Sequence, residues 1–63
     1  MNVRDIIKRI EADGWSMISQ KGSHRQFKHP VKKGRVTVAG KPGYDPPTGT
    51  VKSIFKQAQI EEK

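Results

Sequence analysis

WSMISQKGSHRQFKHPVKKGRVTVA, residues 15–39, is the stretch that decides the fold. It divides into three short runs separated by turn residues. Residues 15–20 predict a first strand with Trp15 and Met17 facing inward, although Ile18 interrupts the two-residue alternation. Lys21-Gly22 is read as a hairpin turn. Residues 23–29 predict a second strand anchored by Phe27, and Pro30 ends it because it has no N–H to give to a ladder. Lys32-Lys33-Gly34 is a second turn. Residues 35–39 then form a third strand with Val36 and Val38 inward.

Working outward, both flanks are helical. Val3, Ile6, Ile7 and Ile10 repeat at the spacing of one helix face, so residues 2–13 predict a helix. Asn2 can cap its start, Asp5 sits near the positive end of its dipole, and Gly14 stops it. Its polar face mixes signs and includes an Asp5–Arg9 pair. Val51, Ile54, Phe55 and Ala58 predict a second helix over about 48–60, with Thr48 as preferred N-cap and Asp45-Pro46 as a competing start. Glu61, Glu62 and Lys63 are expected to fray. The Pro- and Gly-rich residues 40–49 read as an ordered connector rather than a domain linker.

The expected fold is thus α+β: helix, three-stranded antiparallel sheet, helix. One sheet face buries against both helices and the other stays open. A 63-residue chain is one domain, 1–63, with a thin core. A deep enclosed pocket is not expected. Chemistry on an open face or shallow groove suits a polymeric substrate better than a small metabolite.

The absence of cysteine argues for a reducing compartment and removes cysteine-based zinc sites. No run approaches the roughly 20 apolar residues of a membrane span, and the chain opens on a charged amphipathic segment rather than a signal peptide. A cytoplasmic location is the expectation.

The net charge of +7 is segregated. In residues 1–20, Arg4, Lys8 and Arg9 balance Asp5, Glu11 and Asp13. In residues 42–63, Lys52, Lys56 and Lys63 balance Asp45, Glu61 and Glu62. Residues 21–41 hold Lys21, Arg25, Lys28, Lys32, Lys33, Arg35 and Lys41 with no acid. Such a surface attracts phosphate backbones. The bland alternative is a solvated face, but solvating charge is usually mixed in sign.

His24 is the residue singled out for chemistry. With Phe27 inward, parity places His24, Gln26 and Lys28 on the open face. An imidazole can exchange protons near neutrality, and Lys28 with nearby basic residues is expected to hold the scissile phosphate and offset charge developing on phosphorus. The bland reading is an ordinary surface histidine. The same parity puts Arg25 on the core side, so it either reaches out at the strand's edge or sits in a locally altered register. His29, at the strand end before Pro30, is the weaker candidate. The acids lie outside the basic segment, so no metal cluster or other cofactor site is expected.

Lys21-Gly22-Ser23-His24-Arg25-Gln26-Phe27-Lys28-His29-Pro30 resembles the HicA family of bacterial and archaeal mRNA interferase toxins. The resemblance extends to Asp13-Gly14-Trp15, to Lys32-Lys33-Gly34 and to residues 49–58, so it covers nearly the whole chain. It implies a double-stranded-RNA-binding-domain-like fold and endoribonuclease activity on mRNA carried by His24. It also implies neutralisation by a cognate HicB-type antitoxin. Two positions depart from the family pattern. Ala39-Gly40-Lys41-Pro42 stands where members often have a His-Pro pair, so any help from that histidine is missing here. Gln59 replaces a common glycine, which suggests a last helix that runs slightly further.

The expected RNA contacts are Lys21, Ser23, Arg25, Gln26, Lys28, Lys32, Lys33, Arg35 and Lys41. His24 is the expected catalytic residue, a general base or acid needing no metal. Two other readings stay open: an RNA-binding module without catalysis, and a protein-interaction domain whose basic face meets an acidic partner.

Overall fold

A computed structural model describes residues 1–60. It contains α1 (Val3–Ala12), β1 (Ser16–Lys21), β2 (His24–Lys28), β3 (Val36–Ala39) and α2 (Thr48–Gln57), in that order. The strands form one antiparallel sheet in the order β1-β2-β3. This is the expected α+β arrangement, consistent with a double-stranded-RNA-binding-domain-like fold. The expectation that residues 61–63 fray lies outside the described residues.

The core is a single apolar cluster. Val3, Ile6 and Ile10 of α1 and Val51, Ile54 and Phe55 of α2 meet Trp15, Phe27, Val36, Val38 and Ala58. Every strand residue in that cluster has one parity, so both helices cover one sheet face. Met17 does not join it, contrary to expectation. It pairs with Phe27 on the helix side, but β1 is an edge strand and Met17 remains 49% exposed. Ile18 is a bulge: the β1–β2 register shifts between Met17 and Ser19. That extra residue is the physical basis of the broken alternation in the sequence.

The first hairpin turn is Gly22-Ser23, one residue later than expected, with Lys21 and His24 closing it. Gly22 has φ 61°, the positive value that a glycine at the first central position of a II′ turn supplies.

The start of α1 explains why the 40–47 connector is ordered. The Val3 and Arg4 N–H groups donate to the Tyr44 and Pro42 carbonyls at 2.8 and 3.0 Å. The Asp5 N–H donates to Asn2 Oδ1 at 2.9 Å. The connector thus satisfies helix donors that would otherwise lack partners. The start of α2 corrects the choice of Thr48 as cap. Pro47 is the N-cap residue and its carbonyl accepts from Val51, so Thr48 already lies inside the helix.

Both helices end in the same motif. Gly14 N–H donates to Glu11 O and Trp15 N–H to Ile10 O. Gln59 N–H donates to Lys56 O and Ile60 N–H to Phe55 O. Each is a Schellman ending with a left-handed residue after the last helical turn. Gln59 therefore stops α2 rather than extending it: it adopts φ 55° without being glycine. Its side chain offsets part of that strain, because Nε2 donates to Lys33 O at 3.0 Å. At Gly14, with φ 107°, an added Cβ would stand 2.7 Å from His29 Nε2.

Two substitutions therefore act in opposite directions. Gly14→Ala should destabilise by about 2 kcal/mol or more, and Gln59→Gly should stabilise by up to about 1 kcal/mol. Urea unfolding checks both signs.

Candidate nucleic-acid interface

β2 carries the candidate residues. Its five residues alternate between the faces, and Phe27 enters the core. His24, Gln26 and Lys28 consequently point to the open face. The registers add neighbours in rows. Lys21, His24 and Ala39 form one row, Ser19, Gln26 and Thr37 the next, and Ser16 pairs with Lys28. Cross-strand partners place their Cβ atoms about 5 Å apart.

Lys21 is therefore the cation beside His24. Lys28, four residues along the same strand, lies about 13 Å away at the usual rise. The hairpin makes the difference: a two-residue turn sets Lys21 directly opposite His24. Arg35 also reaches this face, donating from Nη1 to Gln26 Oε1 at 3.2 Å. His24, Lys21, Lys28 and Arg35 are exposed. Ser23 lies in the turn next to His24, whereas Lys33 and Lys41 lie in connectors at the sheet's ends.

Two other basic residues are committed elsewhere. Arg25 keeps the parity of Phe27, because the β2–β3 register is regular. It stays on the helix side, and its Nη1 donates to Gly40 O at 2.8 Å and Ser23 O at 3.3 Å. Lys32 bends toward the helix ends. Its Nζ donates to an Asp13 carboxylate oxygen, to Gln59 O at 2.9 Å and to Ala58 O at 3.4 Å. Ala58 is the C-cap of α2 and Gln59 the residue after it, so the cation stands at the C-terminal end of the helix, where the dipole favours it.

His29 is also structural. Its Nδ1 accepts the backbone N–H groups of Val31 and Lys32, both at 3.0 Å. That leaves the proton on Nε2, which donates to Asp13 O at 2.7 Å. The ring stands edge-on to Trp15, with centroids 5.3 Å apart. Only 10% of the side chain is exposed. No comparable bond holds the His24 ring among the described residues, so of the two histidines His29 is the one tied into the scaffold.

The ion pair among the described residues joins Lys32 to Asp13, with the neutral His29 ring 3.9 Å from the same carboxylate, and the expected Asp5–Arg9 pair does not form. The Lys32 hydrogen bond and charge hold the Asp13 carboxyl below the ordinary aspartate value of 3.8, against some opposing desolvation. No group of three or more His, Cys, Asp or Glu side chains able to hold a metal occurs among the described residues. No described helix is long and apolar enough to cross a membrane.

The sequence matches the model of a known family. The HicA toxin of bacterial toxin-antitoxin systems matches residues 3–60, from the first residue of α1 to the end of the α2 stop motif. The chain belongs to the HicA toxin family. No curated protein matches it closely enough to add a relative. In this HicA chain the matched region includes the whole open face and the turn that pairs Lys21 with His24.

The sequence reading missed one feature. A groove opens beside β3, where Thr37 and Ala39 of the open face meet exposed residues of α2. Parity alone marks Thr37 and Ala39 as outward, but only the packing of α2 against β3 makes a groove of them.

The two histidines should separate in stability. His29→Ala should cost about 1–3 kcal/mol by orphaning backbone groups, whereas His24→Ala should stay within about 0.5 kcal/mol of the parent in urea unfolding. Asp13 sets an acid limit. Its folded pKa lies below its unfolded one, so its contribution is fully present above about pH 4 and is lost as pH falls through the depressed folded value. Thermal melts of Asp13→Asn should therefore show a weaker pH dependence below pH 4 than the parent.

Proposed function

We propose that this HicA chain is an endoribonuclease that binds and cuts mRNA, with His24 as its catalytic residue. The carrying observation is the Lys21–His24 pair: an exposed imidazole with a cation directly across the strand, on an open basic face. His24 would act as general base on a ribose 2′-hydroxyl, or as general acid on the leaving oxygen. In the first role the 2′-oxygen attacks phosphorus and the bond to the 5′-oxygen breaks. The proton taken by His24 and the one received by the leaving oxygen then need separate agents, and water or Lys21 would serve the second. The reaction needs no metal in this scheme.

Lys21 would offset charge at the scissile phosphate. Lys28 and Arg35, further along the face, would hold flanking phosphates, and Ser23 and Gln26 would add hydrogen bonds. Lys33 and Lys41 would extend the phosphate track at the sheet's ends. Arg25 and Lys32 would contribute through the scaffold, since their donors are already engaged. One domain, 1–63, would carry both binding and cleavage in the cytoplasm. A HicB-type antitoxin would neutralise it, with an acidic surface complementary to the basic face.

The test is cleavage of RNA by purified parent and His24→Ala, each with and without chelator. Removing a general base or acid should slow cleavage about 10²–10⁴-fold with RNA binding retained. Attack by the 2′-oxygen predicts 2′,3′-cyclic phosphate and 5′-hydroxyl ends. Full activity in the variant would overturn the role of His24, and loss of parent activity in chelator would overturn the metal-free scheme. A folded parent that binds RNA and cuts none would leave a binding module.

A further inference from the structure

The groove beside β3 measures about 330 Å³ and is open to solvent. β3 supplies Thr37 and Ala39, and α2 supplies Gly49, Thr50, Ser53 and Gln57, with the buried Ile54 behind them. Ala39 is the strand partner of His24, and Thr37 is the partner of Gln26. The β3 wall of the groove therefore stands one strand, about 5 Å, from His24, on the side opposite Lys21.

The two sides of His24 differ in chemistry. The Lys21 side is cationic, and the lining of the groove holds no ionisable side chain. A nucleotide beside His24 has a charged part and a neutral part, and the face offers a matching site for each. Hydroxyls on Thr37, Thr50 and Ser53 can both donate and accept, and the Gln57 amide does both through separate atoms. Those are the functions that read a base edge. Ala39 and Gly49 are small, leaving room for a planar ring, and Ile54 offers an apolar surface behind it. The volume lies near the lower end of the roughly 300–1,000 Å³ range of small-ligand sites, which suits one nucleotide unit and not a duplex. Bases become available to such a pocket in single-stranded RNA, where they can be splayed from the stack.

We propose that this groove is a base-binding subsite for one unstacked nucleotide of the RNA strand, next to the phosphate at His24. The proposal rests on the ribonuclease reading of the His24 face. Thr50, Ser53 and Gln57 are its specificity-determining side chains. Base preference at the cut is then set by α2, while affinity for the backbone is set by the basic residues across the sheet.

The test is an amide chemical-shift titration of the whole chain with the four ribonucleoside 3′-monophosphates and, separately, inorganic phosphate. Amides of Thr37, Ala39, Thr50 and Ser53 should shift saturably with nucleotides, to an extent that depends on the base. Inorganic phosphate should move amides around Lys21 and His24 and leave the groove still. Ser53→Leu and Gln57→Leu change exposed helix positions, so both should fold with the parent's melting temperature. Each should bind the preferred nucleotide about tenfold more weakly, as expected for one or two lost hydrogen bonds. Groove amides that ignore the nucleotides, or respond equally to phosphate, would overturn the subsite. RNA cleavage by Gln57→Leu with unchanged base preference would also overturn it while leaving the ribonuclease reading intact. Base-dependent shifts in a protein that cuts no RNA would support the subsite and overturn the ribonuclease reading alone.

Discussion

Both helices stop at one place, and the structure hangs on the knot that joins their ends. Trp15 leaves α1 and donates its indole N–H to Ala58 O at the end of α2, at 3.1 Å. His29 donates to Asp13 O after α1. Lys32 bridges the Asp13 carboxylate and the carbonyls of Ala58, the C-cap of α2, and Gln59 just after it. Helix ends leave carbonyls without intrahelical donors, and burying them unpaired is costly. A chain with so thin a core cannot spread that cost over many contacts. It answers the problem once, for both helices, with three side chains around a single point.

That knot has a consequence for function. It consumes one of two histidines and one of seven basic residues in the central segment. Arg25 is consumed likewise at the other end of β2, where it ties the Ser23 and Gly40 carbonyls. What remains on the open face is a smaller, ordered set: Lys21 opposite His24, with Lys28 and Arg35 further along. Charge that looked uniform in the sequence is thus divided between holding the fold and facing solvent. The division makes electrostatic sense, because cations placed against helix carbonyls are stabilising, and cations left on a sheet face are free to meet phosphate.

Much of the fold was legible. The three-residue and four-residue spacings of Val3, Ile6 and Ile10, and of Val51, Ile54, Phe55 and Ala58, were decisive because only a helix brings such positions to one face. Phe27, Val36 and Val38 marked the buried side of two strands by parity. Errors came where local pattern meets the edge of the structure. Met17 has inward parity but no helix above it. Thr48 has capping chemistry but follows a proline whose carbonyl already starts the helix. Gln59 lacks the residue type of a stop, yet adopts a stop's conformation because the tertiary contacts of Gln59 with Lys32 and Lys33 hold it there.

By itself the sequence determined on which face the candidate residues stand. Parity along β2 is a property of the backbone, so His24, Gln26 and Lys28 had to share the face opposite Phe27. The segregation of positive charge into residues 21–41 was likewise complete in the sequence. Only the tertiary structure decided which of these groups are neighbours. The turn at Gly22-Ser23 chose Lys21 for His24, the knot withdrew His29 and Lys32, and the packing of α2 beside β3 opened the groove. The reason is that parity and spacing act over a few residues of one chain segment. Proximity between segments depends on turn geometry, register and the burial of unpaired backbone groups, which are settled only when the whole chain folds.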